Sequence, residues 1–568
     1  MKNFLQNLFG GAGARRTKPV VLVIMDGWGI APASAGNVTT SAKLPNLDKY
    51  FAQYPNTQLI ASGESVGLPA NEVGNTEVGH LTIGSGRVIY QGLKRINMAI
   101  EDGSFLQNQA FLKAIQHARN NNSRLHIMGL VTSGNVHSSL PHLYNLLTMC
   151  RQAQLTNVAL HAFTDGRDAP PKEGLEILSE VEKRMQSFNI GQIATIAGRY
   201  YAMDRDLRWE RIERAYRAIV EGKGPTSNST MEAIRSAYDA GLSDELIEPT
   251  VILKDGAPYA TVNDNDAVIF FNFRIDRPRE LTMALTMPNF EQLNPANYGY
   301  NEESNDKNDQ KIKFSGTFTR NKIPQNVFMT TMMNYHKNIP VNAVAYDYDF
   351  IGNPLAQVLS DHGLEQLHQS ESEKERFVTY YFDGYRDECF PGEDTVIVPS
   401  PKVPTYDRKP EMSVFHTVSE FKRNLEKDRY HFFVMNFANP DMVAHTGNIK
   451  ATIQACEATD KAIGEVVDAT LAVDGTVFIT ADHGNAEELL TYDSSSFFFT
   501  SSAGSVNTDH SSNPVPFIIV NNEIGAAAPT LQPGNLSDIA PTILAWFGLP
   551  IPKEMGGKNL LTLGGQHG

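Results

Sequence analysis

The chain has 568 residues, of which 41% are hydrophobic and 20% charged, and its formal net charge is −15 at pH 7. That length exceeds one small core and predicts several packed units of an ordinary globular protein. The acidic balance excludes a general nucleic-acid or anionic-membrane binder, although local arginines can still make an anion site. The three cysteines, Cys150, Cys389 and Cys456, are far apart and show no CxxC spacing, so a reducing, cytoplasmic setting is expected rather than a disulfide framework.

Residues 1–17 hold short apolar pieces broken by Asn and Gln. A tail or short anchoring helix is expected there, not a secretory signal. No apolar run in the chain approaches the roughly 20 residues that span a bilayer, so no membrane insertion is expected. Val20–Met25 (VVLVIM) is continuously apolar, the pattern of a strand buried on both faces, and leads into Asp26-Gly27. Gly74–His80 (GNTEVGH) places the Thr76 hydroxyl among glycines and beside Glu77. A hydroxyl becomes a useful nucleophile only when a base or metal lowers its pKa.

Further strands are predicted at Leu125–Leu130, Val158–Phe163, Ile193–Ala197 and Ala267–Phe273, with an amphipathic helix at Arg208–Glu221. Asn301–Lys311 reads as a polar surface insertion. Apolar runs return at His431–Phe437, Thr476–Thr480 and Val515–Val520, with a helix over Thr452–Leu471. Ser494–Val506, serine mixed with three phenylalanines, is read as a partly buried loop or, alternatively, a lid or subunit contact. Alternating strands and helices predict an α/β layered fold. The expected domains are a tail (1–17), a discontinuous domain (18–91 and 348–568) and a second α/β domain inserted into it (94–345).

Three apolar runs end in candidate ligands: Asp26 after the first, Asp441 and His445 after the second, and Asp482 and His483 after the third. Ligands of open α/β sheets gather at the carboxyl ends of strands. Asp441 and His445 are four apart and share a face on a helical turn. His510 precedes the last strand. Three Asp, three His and one hydroxyl, without Cys, suffice for two ions such as Mn²⁺, Mg²⁺ or Zn²⁺. Arg167, Arg199, Arg205, Arg274 and Arg277 follow strands of the inserted domain and suggest a concave site for carboxylate or phosphate. His137 can donate to a phosphoryl oxygen there. Taken singly, each Asp, His or Arg would be an ordinary cap or surface ion pair. It is their joint occurrence at successive strand ends that points to a site.

The stretches MDGWG, GNTEVGHLTIGSGRVIYQ, HAFTDGRDAPP, GRYYAMDRDLRWER, FFNFRIDR, FPGEDTVIVPSPKVPTYD, NFANPDMVAHTG, TADHGNAE and NPVPF occur in this order from about Val20 to near the C-terminus. Together they resemble the cofactor-independent (2,3-bisphosphoglycerate-independent) phosphoglycerate mutases. The resemblance implies an alkaline-phosphatase-like domain with two divalent metals, most simply Mn²⁺, and an inserted transferase domain. One metal would sit on Asp441, His445 and His510, the other on Asp26, Thr76, Asp482 and His483. Substrate contacts would be His137, Arg167, Asp168, Arg199, Arg205, Arg274, Arg277 and Lys374.

The implied reaction is the glycolytic and gluconeogenic interconversion of 3-phosphoglycerate and 2-phosphoglycerate through a phosphoenzyme, without 2,3-bisphosphoglycerate. Asp168 would act as general acid and base, Lys374 would stabilise the transferring group, and domain closure would exclude water. A monomer is expected. The family pattern GNSEVGH carries serine where this chain has Thr76, so a phosphothreonine is expected. The family's SDGGVHSH stands here as Thr132–Ser139, TSGNVHSS, lacking a carboxylate and a second histidine. The competing readings are a metal-dependent phosphatase, a phosphopentomutase-like enzyme, or a non-catalytic metal-binding relative.

Overall fold

Val20–Met25 carries apolar side chains on both faces, and such a strand is stable only with neighbours on both sides and helices above and below. In the computed structural model, which describes residues 18–293, 316–347, 350–491, 505–524 and 531–561, that is its position. The chain divides into two compact units, one from residues up to 91 and from 349 onward, the other from residues 92–348. The 1–17 segment, the 301–311 insertion and residues 494–504 lie outside the described residues.

In the first unit Val20–Met25 lies between Phe432–Phe437 and Thr476–Thr480, parallel to both, with Val20 opposite Phe432 and Thr476. All three strands are buried along their whole length. Gln366–Glu371 and then Glu393–Val398 extend the sheet in parallel on one side. On the other side Val515–Asn521 runs antiparallel to Thr476–Thr480, followed by Asn56–Ile60 and Gly534–Asn535. The apolar run at Val515 is thus a strand of the opposite sense. Burial on both faces produces the same hydropathy whichever way a strand runs.

Gln366–Glu371 has no apolar signature, reading QLHQSE, yet all six residues are buried. The helix Ile449–Leu471 packs on this sheet and begins where the Asn448 side chain accepts from Ala451 N at 3.2 Å. A cap of this kind satisfies one of the amide donors that a helix start leaves open.

The second unit holds a mostly parallel sheet. Its strands follow the order Ala343–Val344, Phe328–Thr331, Ala267–Phe270, Leu125–Leu130, Val158–Thr164 and Gln192–Gly198, with antiparallel Thr250–Lys254 next. Ala267–Phe270 is shorter than the apolar run that announced it. Beyond Phe270 the chain turns out toward Arg274 and Arg277. The amphipathic segment after Arg208 forms a helix over Trp209–Tyr216 and a wider π-type turn over Arg217–Glu221.

Candidate active site

Thr76 opens the helix Thr76–Ser85, and Asn75 caps it by accepting from Val78 N at 3.1 Å. The cap fixes the chain at the position where the Thr76 hydroxyl emerges. Thr76 Oγ1 lies 2.9 Å from His483 Nε2, 3.3 Å from Asp26 Oδ1, and 2.9 Å from Lys374 Nζ, which donates to it. The same ammonium reaches Asp26 at 2.9 Å and Asp441 at 2.8 Å. Burial works against the charged lysine, but Asp26, Asp441 and Asp482 outweigh it and hold its pKa raised. His483 follows the same logic: burial lowers it, and Asp482, Asp26 and Asp441 bring it up to about 10.

Asp441, His445 and His510 converge. His445 Nε2 and His510 Nε2 are 3.1 Å apart, and they lie 3.3 and 3.5 Å from Asp441 Oδ1. The opposite ring nitrogens face carbonyls, His445 Nδ1 at 2.7 Å from Thr508 O and His510 Nδ1 at 2.9 Å from Gly74 O. Those carbonyls place the imidazole protons on Nδ1. Two Nε2 lone pairs and a carboxylate oxygen therefore point at one another, an arrangement that a cation satisfies. Asp26, His483 and Asp482 form a second group: His483 Nε2 lies 3.4 Å from Asp26 Oδ1 and 3.5 Å from Asp482 Oδ2. The buried Asp482 Oδ2 meets only the rings of His80 and His483 among the described residues. Asp441, His445 and His510 lie close enough together to hold a divalent ion, as do Asp26, Asp441 and His483, and Asp26, His80 and Asp482.

Four residues outside the sequence-derived set hold this arrangement. His80, one helical turn after Thr76, places Nδ1 at 3.0 Å from Thr76 O and 3.2 Å from Asp482 Oδ2. Asn436 Nδ2 donates to Asp26 Oδ2 at 2.7 Å and lies 3.0 Å from His80 Nε2. Asn485 Nδ2 donates to Asp441 Oδ1 at 2.9 Å. Glu487 accepts from Gly29 N at 2.8 Å, Asn485 N at 2.9 Å and Asn513 Nδ2 at 3.0 Å, and from the Ser511 hydroxyl. A Cβ at Gly29 or Gly484 would overlap the Glu487 carboxylate, so glycine is needed at both. His80 was visible in GNTEVGH and Glu487 in TADHGNAE. Nothing local marked either one, because their partners are distant in sequence.

In the second unit Arg199 is buried and its Nη1 reaches Asp165 at 2.6 Å and also Asp168. Asp165 is buried, but the Asp168 amide and Arg199 hold its carboxyl below the usual range. His137 lies 3.5 Å from both Asp168 Oδ2 and Asp276 Oδ1, and Arg205 reaches Asp276 at 2.7 Å. A cavity of about 210 Å³ is lined by Arg167, Arg199, Arg205 and Arg277, together with Arg208 and Arg211. Arg274 is not in its lining, and its side chain is 55% exposed. Burial, then the charges of Arg199 and Arg205, lower the pKa of Arg277. Asp204, Asp206 and Glu245 in the same lining offset part of this positive charge, and an anion would offset more.

Comparison with known proteins gives a family. Residues 96–337 match the family described as BPG-independent PGAM N-terminus, and residues 290–549 match the sulfatase family. A 2,3-bisphosphoglycerate-independent phosphoglycerate mutase of Clostridium beijerinckii is 45% identical over 544 residues, 96% of this chain and 99% of the relative. Its counterpart in Thermomicrobium roseum is 46% identical over 549 residues, 96% and 98% of the two chains. A crystal structure of Leishmania mexicana phosphoglycerate mutase, at low cobalt concentration, is 28% identical, with a TM-score of 0.59 over 96% of this chain and 98% of that one. With near-complete coverage at this identity, the chain belongs to the 2,3-bisphosphoglycerate-independent phosphoglycerate mutases.

Proposed function

We propose that the protein interconverts 3-phosphoglycerate and 2-phosphoglycerate, needs no 2,3-bisphosphoglycerate, and works through a phosphothreonine at Thr76. The observation that carries this reading is the surroundings of one atom: Thr76 Oγ1 has Lys374 Nζ and His483 Nε2 at 2.9 Å and Asp26 Oδ1 at 3.3 Å, in a buried site. When bound by Asp441, His445 and His510 and by Asp26, Thr76, Asp482 and His483, divalent cations, with Mn²⁺ our choice, would acidify the hydroxyl and offset phosphoryl charge.

In this reading the Thr76 hydroxyl passes its proton to Asp26, the carboxylate to which it donates, attacks phosphorus, and recovers that proton when it is later released. The bond from phosphorus to the glycerate oxygen breaks, and Asp168 supplies the proton to that oxygen. Glycerate is held by its carboxylate on the arginines and turns. Its other hydroxyl returns a proton to Asp168 and attacks the phosphothreonine, freeing Thr76. Lys374 donates to the transferring group, and Arg167, Arg199, Arg205, Arg274, Arg277 and His137 orient the acid and the phosphate. We assign substrate binding to the unit of residues 92–348 and the nucleophile to the other, and we read the enzyme as a monomer. Its three free cysteines suit a reducing compartment such as the cytoplasm.

An enolase-coupled assay without bisphosphoglycerate, together with intact-mass analysis of enzyme quenched during turnover, tests the proposal. Thr76→Ser is expected to keep activity within about tenfold, and Thr76→Ala to lose at least about 10³-fold. The phosphoryl mass should map to Thr76. Full activity in Thr76→Ala, or release of free phosphate as the main product, would overturn it.

A further inference from the structure

His368, Asp383 and Glu393 form a buried group built from none of the residues discussed above. His368 sits in the polar strand Gln366–Glu371. Asp383 follows the turn Phe377–Tyr381, and Glu393 opens the neighbouring strand Glu393–Val398. All three are buried, His368 completely. The Gln366 amide nitrogen donates to Ala356 O at 2.8 Å, which fixes the amide and turns its Oε1 toward His368 Nε2 at 3.2 Å. Nδ1 meets a second acceptor, the Val378 carbonyl, and a neutral ring has one proton for the two; in the tautomer with the proton on Nε2, the Gln366 oxygen accepts it. Nδ1 is then left with a lone pair, yet it faces three more lone pairs: Val378 O at 2.7 Å, Glu393 Oε1 at 3.7 Å and Asp383 Oδ1 at 3.8 Å.

Neither of those carboxylate oxygens has a hydrogen-bond partner among the described residues. A second proton on the ring would answer the problem, but burial lowers the His368 pKa and opposes it. In that tautomer four electron-rich atoms converge on one buried point, where either a cation or a proton on Asp383 answers them. Leaving such groups uncompensated is costly.

We propose that His368 Nδ1, Asp383 Oδ1, Glu393 Oε1 and the Val378 carbonyl form a binding site for a divalent transition-metal cation of the Zn²⁺ type, separate from the two ligand groups around Thr76. One nitrogen and three oxygens form an acceptable donor set for such an ion. The Nε2–H bond to Gln366 is the outer-layer contact that orients a ligating histidine. All three side chains lie within 4.8 Å of one another through their ligand atoms. The role is structural: the ion would tie together the two edge strands Gln366–Glu371 and Glu393–Val398 and the segment that leaves Lys374. The alternative occupant is a proton shared between the Asp383 and Glu393 carboxyls.

Crystals of the full-length wild-type protein soaked in Zn²⁺ and measured at the zinc absorption edge separate the two. An anomalous peak bounded by His368, Asp383 and Glu393 is expected, beside peaks at the Asp441 and Asp26 groups. Peaks at those two groups with none at His368 would overturn the proposal and leave the proton as occupant. In solution, Glu393→Gln and His368→Gln should each bind one Zn²⁺ fewer per chain than wild type by elemental analysis. An unchanged ratio in folded variants would also overturn it. If neither variant folds, the wild-type anomalous map decides alone.

Discussion

Glu487 shows how a residue without chemistry of its own can govern a site. Its carboxylate is 2% exposed and accepts from two backbone amides, a hydroxyl and an amide side chain. These donors come from the loops that also carry Asp26, Asp482, His483 and His510. Glu487→Gln keeps the volume but sets an NH₂ group against a donor. The expected cost is about 1–3 kcal/mol, as for other buried groups left mismatched. Thermal unfolding checks that loss. Faster metal loss to a chelator is the accompanying sign, since the loops it joins carry the proposed ligands. His80 and Asn436 act similarly on Asp26 and Asp482, by orienting the carboxylates rather than by meeting substrate.

At the scale of elements, the loop after Gln192–Gly198 and the helix Arg279–Thr286 are joined by two carboxyls. Glu280 accepts from Leu207 N at 2.9 Å and lies against Asp204. Asp204 in turn accepts from Asp206 N at 2.9 Å, Arg208 N at 3.0 Å and Arg211 Nη1 at 3.0 Å. Leu207 has φ +59°, a left-handed conformation rare for leucine, and the bond to Glu280 holds it there. Burial, then the nearby Asp204 and Asp206, raise the Glu280 pKa from its ordinary 4.5 to about 8. The folded chain therefore keeps a proton that the unfolded chain has already released. Between those two values the folded state binds more protons, so this group's contribution to stability falls as pH rises, and levels off above about 8. Glu280→Gln does not titrate. Its stability relative to wild type should grow between pH 5 and 8, by at most about 1.4 kcal/mol per pH unit. Chemical unfolding at several pH values measures this, and a constant difference would contradict it.

For the whole molecule, the proposed metal sites predict that the two units respond differently to loss of metal. Asp26, Asp441 and Asp482 are all buried in the first unit, with Lys374 and His483 as their cations. The arginine-lined cavity of the second unit offers no comparable ligand group among the described residues. Chelation should therefore lower the unfolding temperature of the first unit and leave that of the second unchanged. An ion held at about 100 times its dissociation constant contributes about 2.7 kcal/mol. Calorimetry of the full chain with and without EDTA reads the two transitions, and enolase-coupled activity should disappear with the first shift. Equal shifts in both would contradict this assignment of the metals.

The parallel strands were legible because a strand buried on both faces must be apolar throughout, as VVLVIM and TVFIT are. The same rule hid Gln366–Glu371, whose buried polar side chains meet partners that no local pattern reveals, such as Thr417 O for the Gln369 amide nitrogen. It also could not give the sense of Val515–Asn521, since hydropathy carries no direction. Asp441 with His445, and Asp482 with His483, stood out because they sit in short motifs at strand ends, and the structure brings them together. Glu487, His80 and the group at His368 did not, because their meaning lies in atoms brought from distant stretches of chain. By itself, then, the sequence determined the fold class, the family and the residue types of the chemistry, all written in local patterns and ordered motifs. Only the tertiary structure decided which lone pairs face one another, which carboxylates lose water and which lysine offsets them. Those are properties of distance and burial, and they exist only once the chain has closed.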